Sequence, residues 1–206
     1  MELITLQHPS LIICYGRPGS GKSILIKYII QHYQQLKLVD FVFVMSGSNF
    51  NGFYQGFLPE RQVKSYSDNT LTRLLALLER KKSNNENFRT LLVLDDCLGS
   101  TAFKSPIMMK CINNFRHYSL SLVLASQYPF AIPPNLRENA FRAFVFAQTT
   151  KRALTALYES YAASDFEHVN EFVDFMKKHT GDYHCLVIDN KQNDFDKKWA
   201  RFKAPI

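Results

Sequence analysis

Two kinds of hydrophobic pattern alternate along the chain. Runs of consecutive apolar residues predict strands that are covered on both faces, as in a parallel sheet with helices on each side. Between these runs, apolar positions recur every three to four residues, which predicts amphipathic helices. The predicted strands are 11–15, 41–45, 91–94, 120–126, 141–146 and 183–189. The predicted helices are 23–36, 69–82, 106–118, 151–161 and about 165–180.

Polar residues mark where three of these helices begin. Ser105 is the expected N-cap of one helix, with Pro106 at its first helical position. Asp68 or Asn69 is the expected cap of an earlier helix. Ser164 and Glu167 fit a capping box before the helix that Gly181 ends.

Strands alternating with helices predict a doubly wound, mostly parallel α/β sheet flanked by helices. No repeat or linker interrupts the pattern, so we expect a single domain over residues 1–206. Its core would span about 11–146. Residues 151–206 would add helices, a strand and a basic tail.

A glycine-rich segment joins the first predicted strand to the first predicted helix. It fits the phosphate-loop pattern G-x-x-x-x-G-K-[ST], and its residues are Gly16, Arg17, Pro18, Gly19, Ser20, Gly21, Lys22 and Ser23. Backbone N–H groups of such a loop surround phosphate oxygens. Lys22 is then expected at the β- and γ-phosphates and Ser23 at Mg²⁺. The segment therefore predicts that the chain binds ATP with Mg²⁺ and that the core at about 11–146 is its nucleotide-binding part.

Polar side chains end two later strands. Asp95 and Asp96 follow the strand 91–94. In a phosphate-loop domain the first acid holds Mg²⁺ through its waters, and the second is placed to activate a water for hydrolysis. Gln127 ends the strand 120–126 and would reach the γ-phosphate if that strand lies between the other two; the alternative is a glutamine that caps a strand end. This arrangement is typical of phosphate-loop ATPases with an additional strand and a catalytic acid.

Arginines near the predicted sheet are candidates for contact with a neighbouring subunit. Arg116 lies just before the strand 120–126 and could stabilise transition-state charge on a neighbour's nucleotide. A surface arginine near a helix C-terminus is the alternative reading. Arg137, in the segment Pro-Pro-Asn-Leu-Arg-Glu-Asn, is a second candidate.

Composition narrows the class of protein. The formal net charge of +7 is compatible with a polyanionic partner such as DNA. None of the four cysteines forms a C-x-x-C pair, and no apolar run approaches the roughly 18 residues of a membrane span. The first ten residues do not resemble a signal peptide. Aromatic residues in 46–60 and in the tail 190–206 are expected to pack against the body rather than contact a polyanion.

These residues, in this order and spacing, resemble the poxvirus-type genome-packaging ATPases of the FtsK–HerA superfamily, found in large DNA viruses, virophages and membrane-containing icosahedral viruses. The resemblance rests on the phosphate loop, residues 92–99, Arg116-His117, Ala-Ser-Gln127 and residues 132–139. It implies a homo-oligomeric ring, a pentamer or hexamer, that drives double-stranded DNA into a preformed capsid. It further implies Asp96 as the base, Gln127 as the sensor and Arg116 as the trans-acting finger. Many members carry Glu where this chain has Asp96.

The same resemblance implies a capsid-vertex or virion membrane protein as a partner. It places the protein in the host cytoplasm or viral factory, or in association with the virion, rather than among secreted proteins. Three alternatives stay open. They are a conjugation or partition DNA pump or helicase of the same superfamily, a nucleotide kinase, and a nucleotide-gated interaction protein. Asp96, Gln127 and the lack of an arginine-rich lid argue against the kinase.

Overall fold

The computed structural model describes residues 5–47, 52–97 and 102–205. Phe50 of the segment 46–60 and Leu98 and Gly99 of the segment 92–99 lie outside these ranges. Within the described residues the strands are β1 Leu11–Tyr15, β2 Phe41–Ser46, β3 Val63–Ser65, β4 Thr90–Asp95, β5 Leu120–Ser126, β6 Arg142–Val145, β7 Cys185–Asp189 and β8 Trp199–Phe202. The helices are α1 Lys22–Gln35, α2 Asp68–Ser83, α3 Pro106–Asn114, α4 Pro134–Asn139, α5 Lys151–Leu157, α6 Val169–His179 and α7 Phe195–Lys198.

The chain divides into two compact units. The first comprises Met1–Ser10 and Ile26–Val123, and the second comprises Leu11–Leu25 and Leu124–Ile206. Strand β5 passes from one unit into the other. The strands of the first unit lie in the order β3-β2-β4-β5, and those of the second unit in the order β5-β1-β6-β7-β8.

In the first unit, β2 pairs in parallel with both β3 and β4. The β2–β4 register joins Phe41 to Thr90 and Ser46 to Asp95, so the two strands end together. Every residue of β4 and β5 is buried. Complete burial explains why consecutive apolar positions predicted these strands, because both of their faces are covered.

In the second unit, β1 pairs in parallel with β6, and β7 and β8 continue the sheet antiparallel. The tail thus supplies the edge strand β8. Its Trp199 is buried and packs edge to face on Phe166 and Phe175, with ring centroids 5.8 and 5.6 Å apart. The expected packing role of the tail aromatics is confirmed for this residue.

The mostly parallel α/β class is therefore confirmed, while two helix starts differ from prediction. Ser67, and neither Asp68 nor Asn69, caps α2 by accepting from the backbone N–H of Thr70. Before α6, the side chain of Glu171 accepts from the backbone N–H of His168, so the capping box predicted at Ser164 and Glu167 is wrong. Ser105 and Pro106 begin α3 as predicted.

The proline-rich segment after β5 forms two short helical elements. Residues Pro129–Ala131 form a turn of 3₁₀-helix, and Pro134 begins the short helix α4. Proline is accepted there because the first helical position needs no N–H donor. Helix α3 likewise tightens into a 3₁₀ turn at Phe115–Tyr118 instead of remaining α-helical.

Candidate nucleotide-binding site

The phosphate loop lies in the second unit, between β1 and α1. Gly19 and Gly21 have φ angles of 74° and 97°, a region that side chains other than hydrogen rarely adopt. A Cβ atom on Gly21 would also lie 3.3 Å from Cδ1 of Tyr183. The pattern of glycines at these positions is therefore required by backbone conformation and by close packing.

The loop leads into a helix N-terminus that is suited to anions. Helix α1 has no acidic residue in its first turn, so its partial positive charge is not offset there. Lys22 and Ser23 are its first two residues, and Lys22 is only 8% exposed. The hydroxyl oxygen of Ser20 is buried and has no hydrogen-bond partner among the described residues. An oxyanion bound at this helix N-terminus would give the Ser20 hydroxyl an acceptor.

Gln127 lies close to this loop along the backbone. The N–H of Gly16 donates to the carbonyl oxygen of Ser126 at 3.1 Å, and Gln127 is the next residue. Within the second unit β5 lies beside β1, so Gln127 follows the strand next to the one that leads into the phosphate loop. The catalytic role of its side chain stays a prediction.

Asp95 lies in the first unit, at the end of β4, and is 3% exposed. The hydroxyl of Tyr54 donates to its Oδ2 at 2.6 Å. Tyr54 is itself buried and packs against Phe53 and Phe57, so the expectation that an aromatic residue holds this segment to the body is met by Tyr54. Tyr54 is the contact to the candidate metal acid that sequence reasoning missed.

Asp96 is exposed and has a φ angle of 53°, in the left-handed region. Aspartate tolerates this region better than most side chains. Gly47 packs against it, because a Cβ on Gly47 would lie 2.3 Å from the carbonyl oxygen of Asp96. The N–H of Gly47 also donates to the carbonyl oxygen of Asp95 at 2.9 Å. The backbone that carries both acids is thus held by the turn after β2, a second feature not foreseen from sequence.

Cys97 follows the two acids and is held in the same turn. Its thiol donates to the carbonyl oxygen of Met45 at 3.6 Å. Burial first, and then the nearby Asp95, raise the pKa of the Cys97 thiol to about 12. The side chain therefore stays a neutral thiol at physiological pH and is not suited to nucleophilic catalysis.

Arg116 lies just before the start of β5 in the first unit, whereas Asp95 lies at the end of β4. The carbonyl oxygen of Arg116 accepts from Ser119 N–H, and the carbonyl of Ser119 accepts from Thr90 N–H at 3.0 Å, so β4 and β5 begin side by side. Asp95 ends β4 five residues further on, roughly 17 Å away along the strand. Arg116 is exposed and lies at the opposite end of the strands from the acids of its own unit.

Arg137, the second candidate finger, is not available at the surface. It is 6% exposed, and its Nη1 donates to the carbonyl oxygen of Pro129 at 3.1 Å. A buried guanidinium that braces the proline-rich segment cannot contact a neighbouring subunit without local unfolding. This observation leaves Arg116 as the stronger of the two candidates.

A cavity of about 530 Å³ opens beside the phosphate loop in the second unit. It is lined by the loop, by the segment after β6 and by the turn before β7. Its lining residues are Arg17, Pro18, Gly19, Ser20, Phe146, Ala147, Gly181, Asp182, Tyr183 and His184. Volumes of 300–1,000 Å³ are usual for small-molecule sites.

Comparisons with known proteins agree with this architecture. The uncharacterized protein 075L of Invertebrate iridescent virus 6 is 30% identical over 191 residues, which cover 90% of this chain and 72% of that protein. The genome packaging NTPase B204 of Sulfolobus turreted icosahedral virus 2, solved with ATP-γS, has the same fold, with a TM-score of 0.69 and 19% identity over 96% of this chain and 98% of that one. The cytoplasmic domain of the Thermomonospora curvata type VII secretion ATPase EccC aligns with a TM-score of 0.61 and 14% identity, over 96% of this chain and 26% of that one.

The family follows from a match across nearly the whole chain. A family model described as "Poxvirus A32 protein" matches residues 4–198. This match confirms the resemblance to the poxvirus-type proteins that the motifs indicated. The chain therefore belongs to the poxvirus A32 protein family.

Proposed function

We propose that this protein is an ATP hydrolase that translocates double-stranded DNA and packages a viral genome into a preformed capsid. The observation that carries the proposal is the phosphate loop, with the buried, unpartnered hydroxyl of Ser20 just before α1, in a chain of the poxvirus A32 family. The B204 protein, whose fold this chain shares, is described as a genome packaging NTPase.

Each candidate residue has a distinct task in the proposed reaction. Lys22 binds the β- and γ-phosphates, and the residues of the loop from Gly16 to Ser23 surround the phosphate chain. Asp96 orients and deprotonates the attacking water. Gln127 contacts the γ-phosphate and registers whether it is present.

Mg²⁺ fits the oxygen donors that the chain offers. Ser23 supplies a hydroxyl and Asp95 a carboxyl group, which are hard donors of the kind that Mg²⁺ prefers. No cluster of three or more metal-binding side chains occurs in the part of the chain that the structure describes. Mg²⁺ needs none, because with nucleotides it keeps several waters and binds one or two protein oxygens together with phosphate. Bound there, it would neutralise charge on the phosphates.

Arg116 acts on a neighbouring subunit in this proposal. Its exposure and its distance from the acids of its own unit support a role in trans within a homo-oligomeric ring, a pentamer or hexamer. The guanidinium would stabilise charge that develops on the neighbour's γ-phosphate. The net charge of +7 supports contacts to DNA phosphates.

A capsid-vertex or virion membrane protein is the proposed docking partner. The proposed setting is the host cytoplasm or viral factory, or the virion itself. In the described ranges, none of the helices is both long and apolar enough to span a bilayer.

An ATPase assay with and without duplex DNA, read beside oligomeric mass, tests the function. The expected result is hydrolysis that duplex DNA stimulates in an oligomer. An absence of hydrolysis in every oligomeric state, with or without DNA, contradicts the proposal. Preference for single-stranded DNA would favour a conjugation pump or helicase. Rapid phosphoryl transfer to a nucleoside monophosphate would favour a kinase, and DNA-independent activity with binding to a protein partner would favour an interaction protein.

Mixing two inactive variants tests the finger. Lys22→Ala subunits retain Arg116, and Arg116→Ala subunits retain an intact phosphate loop. If Arg116 acts in trans, some junctions in a mixed ring contain both functional groups, so activity returns. No recovery in mixed oligomers of confirmed mass would count against this role.

A further inference from the structure

The cavity beside the phosphate loop has an aromatic wall that the proposed phosphate chemistry does not use. Tyr183 lines the cavity and is 58% exposed, an unusual state for a large aromatic side chain. Its ring lies against the phosphate loop, because Cδ1 is 3.3 Å from where a Cβ on Gly21 would stand. The ring is therefore fixed beside the loop while more than half of the residue stays open.

The backbone that presents this ring is held in an uncommon conformation. Gly181, Asp182 and Tyr183 have consecutive φ angles of 123°, 46° and 60°. A tyrosine in the left-handed region is rare, and such conformations persist only where the surroundings impose them.

Side-chain contacts fix this turn. Lys203 forms an ion pair with Asp182 at 2.9 Å and lies 5.9 Å from the centre of the Tyr183 ring. The N–H of His184 donates to the carbonyl oxygen of Gly181 at 2.8 Å. The turn is thus built to hold Tyr183 at the cavity.

The strand order indicates which end of a bound nucleotide would face the cavity. In the second unit β1, which leads into the phosphate loop, lies between β5 and β6. Gln127, the proposed γ-phosphate sensor, follows β5 on one side. Phe146 follows β6 on the other side and lines the cavity. A phosphate chain whose γ end faces β5 directs its nucleoside end toward β6.

We propose that this cavity binds the base and ribose of the nucleotide, with the base stacked on the ring of Tyr183. The proposal rests on the proposed function, because it takes the phosphate loop to be the triphosphate site. The volume of about 530 Å³ is sufficient for a nucleoside-sized group. Tyr183 is accordingly a nucleotide-binding residue, and it contributes affinity for the nucleoside but not for the phosphates.

Two variants of the full-length chain separate the ring from the backbone conformation. Tyr183→Asn removes the aromatic face and keeps a residue type that tolerates the left-handed region. Tyr183→Phe keeps the face and removes the hydroxyl. Binding of ATP and of inorganic tripolyphosphate, which has no base, is measured for each by calorimetry in the presence of Mg²⁺.

The expected result is a selective loss of nucleotide affinity. Stacking on one aromatic ring changes affinity by about 5- to 150-fold, so Tyr183→Asn should weaken ATP binding by that factor. Its tripolyphosphate affinity should stay within about twofold of wild type, and Tyr183→Phe should bind ATP as wild type does.

Unchanged ATP affinity in Tyr183→Asn overturns this inference and leaves the proposed function standing. Equal weakening of both ligands also overturns it, because the ring would then act by shaping the phosphate loop. If the wild-type chain binds neither ligand, the proposed function and the inference fail together.

Discussion

Replacing Tyr54 with phenylalanine removes one oxygen from beside the candidate metal acid. The hydroxyl donates to Oδ2 of Asp95 at 2.6 Å, and both residues are buried. Phenylalanine keeps the ring and its contacts with Phe53 and Phe57. The substitution therefore changes one hydrogen bond and little of the packing.

The size of the effect follows from burial. Removing one partner of a buried hydrogen bond costs about 1–3 kcal/mol, because water does not replace the lost donor. We expect the free energy of unfolding to fall by about 1–3 kcal/mol. The denaturant slope should be unchanged, because the surface exposed on unfolding is the same.

Chemical denaturation of the full chain measures this loss, and the chain supplies a matched control. The hydroxyl of Tyr66 donates to Oδ1 of Asp68 at 2.7 Å in an exposed setting. Tyr66→Phe removes the same group from the same type of acceptor, so it should cost about 1 kcal/mol or less because water replaces the donor. If Tyr54→Phe costs no more than Tyr66→Phe, burial does not strengthen the Tyr54–Asp95 bond and the reasoning is refuted.

Three further predictions follow from the described contacts. Lys22→Ala should abolish ATP hydrolysis in a steady-state assay while circular dichroism shows a folded chain; retained hydrolysis would contradict the role of this lysine. Gly47→Ala should lower kcat about tenfold or more, because the added Cβ would lie 2.3 Å from the carbonyl oxygen of Asp96 and displace it. Gly56→Ala is the control and should be neutral, because a Cβ there meets nothing within 4 Å. Equal kcat in both variants would exclude displacement of Asp96. Burial first, and then the charge of Arg89, lower the pKa of His8 from 6.5 to about 4, so the unfolded chain binds the extra proton and stability is lost as pH falls from 6.5 toward 4. After allowance for its partial exposure, His8 should account for roughly 1 kcal/mol of stability lost by pH 5, and His8→Gln should remove that part of the slope in denaturation at pH 7.5 and 5; an unchanged slope would contradict this assignment.

The sequence predicts six of the eight strands in the described residues, because burial leaves a local apolar run. The short edge strands β3 and β8 have no such run and were not predicted. Strands β1 and β5 begin and end where their apolar runs do. Helix starts are harder to predict where several capping residues are adjacent. Ser67 has extended backbone angles and caps α2, while Asp68 is already helical and accepts instead from Tyr66 and Ser105. Which residue caps the helix therefore depends partly on a contact with Ser105, which is distant in the sequence.

Contacts between residues far apart in the sequence also explain why the surroundings of Asp95 and Asp96 could not be predicted. The bond from Tyr54 to Asp95 joins residues 41 positions apart, and nothing in the pattern near either residue indicates it. Gly47 is similar, because a glycine after a strand predicts a turn but not the approach of the Asp96 carbonyl. By contrast, the phosphate loop is a local motif, and its glycines have the conformations that its pattern requires.

Displacement of a triplex-forming oligonucleotide from duplex DNA tests the central claim most directly. A motor that moves along duplex DNA must strip the third strand as it advances, and it needs hydrolysis to do so. We expect displacement by the wild-type protein with ATP and Mg²⁺, and none with Lys22→Ala or with a non-hydrolysable analogue. Active ATP hydrolysis on the same DNA without displacement of the third strand would contradict translocation.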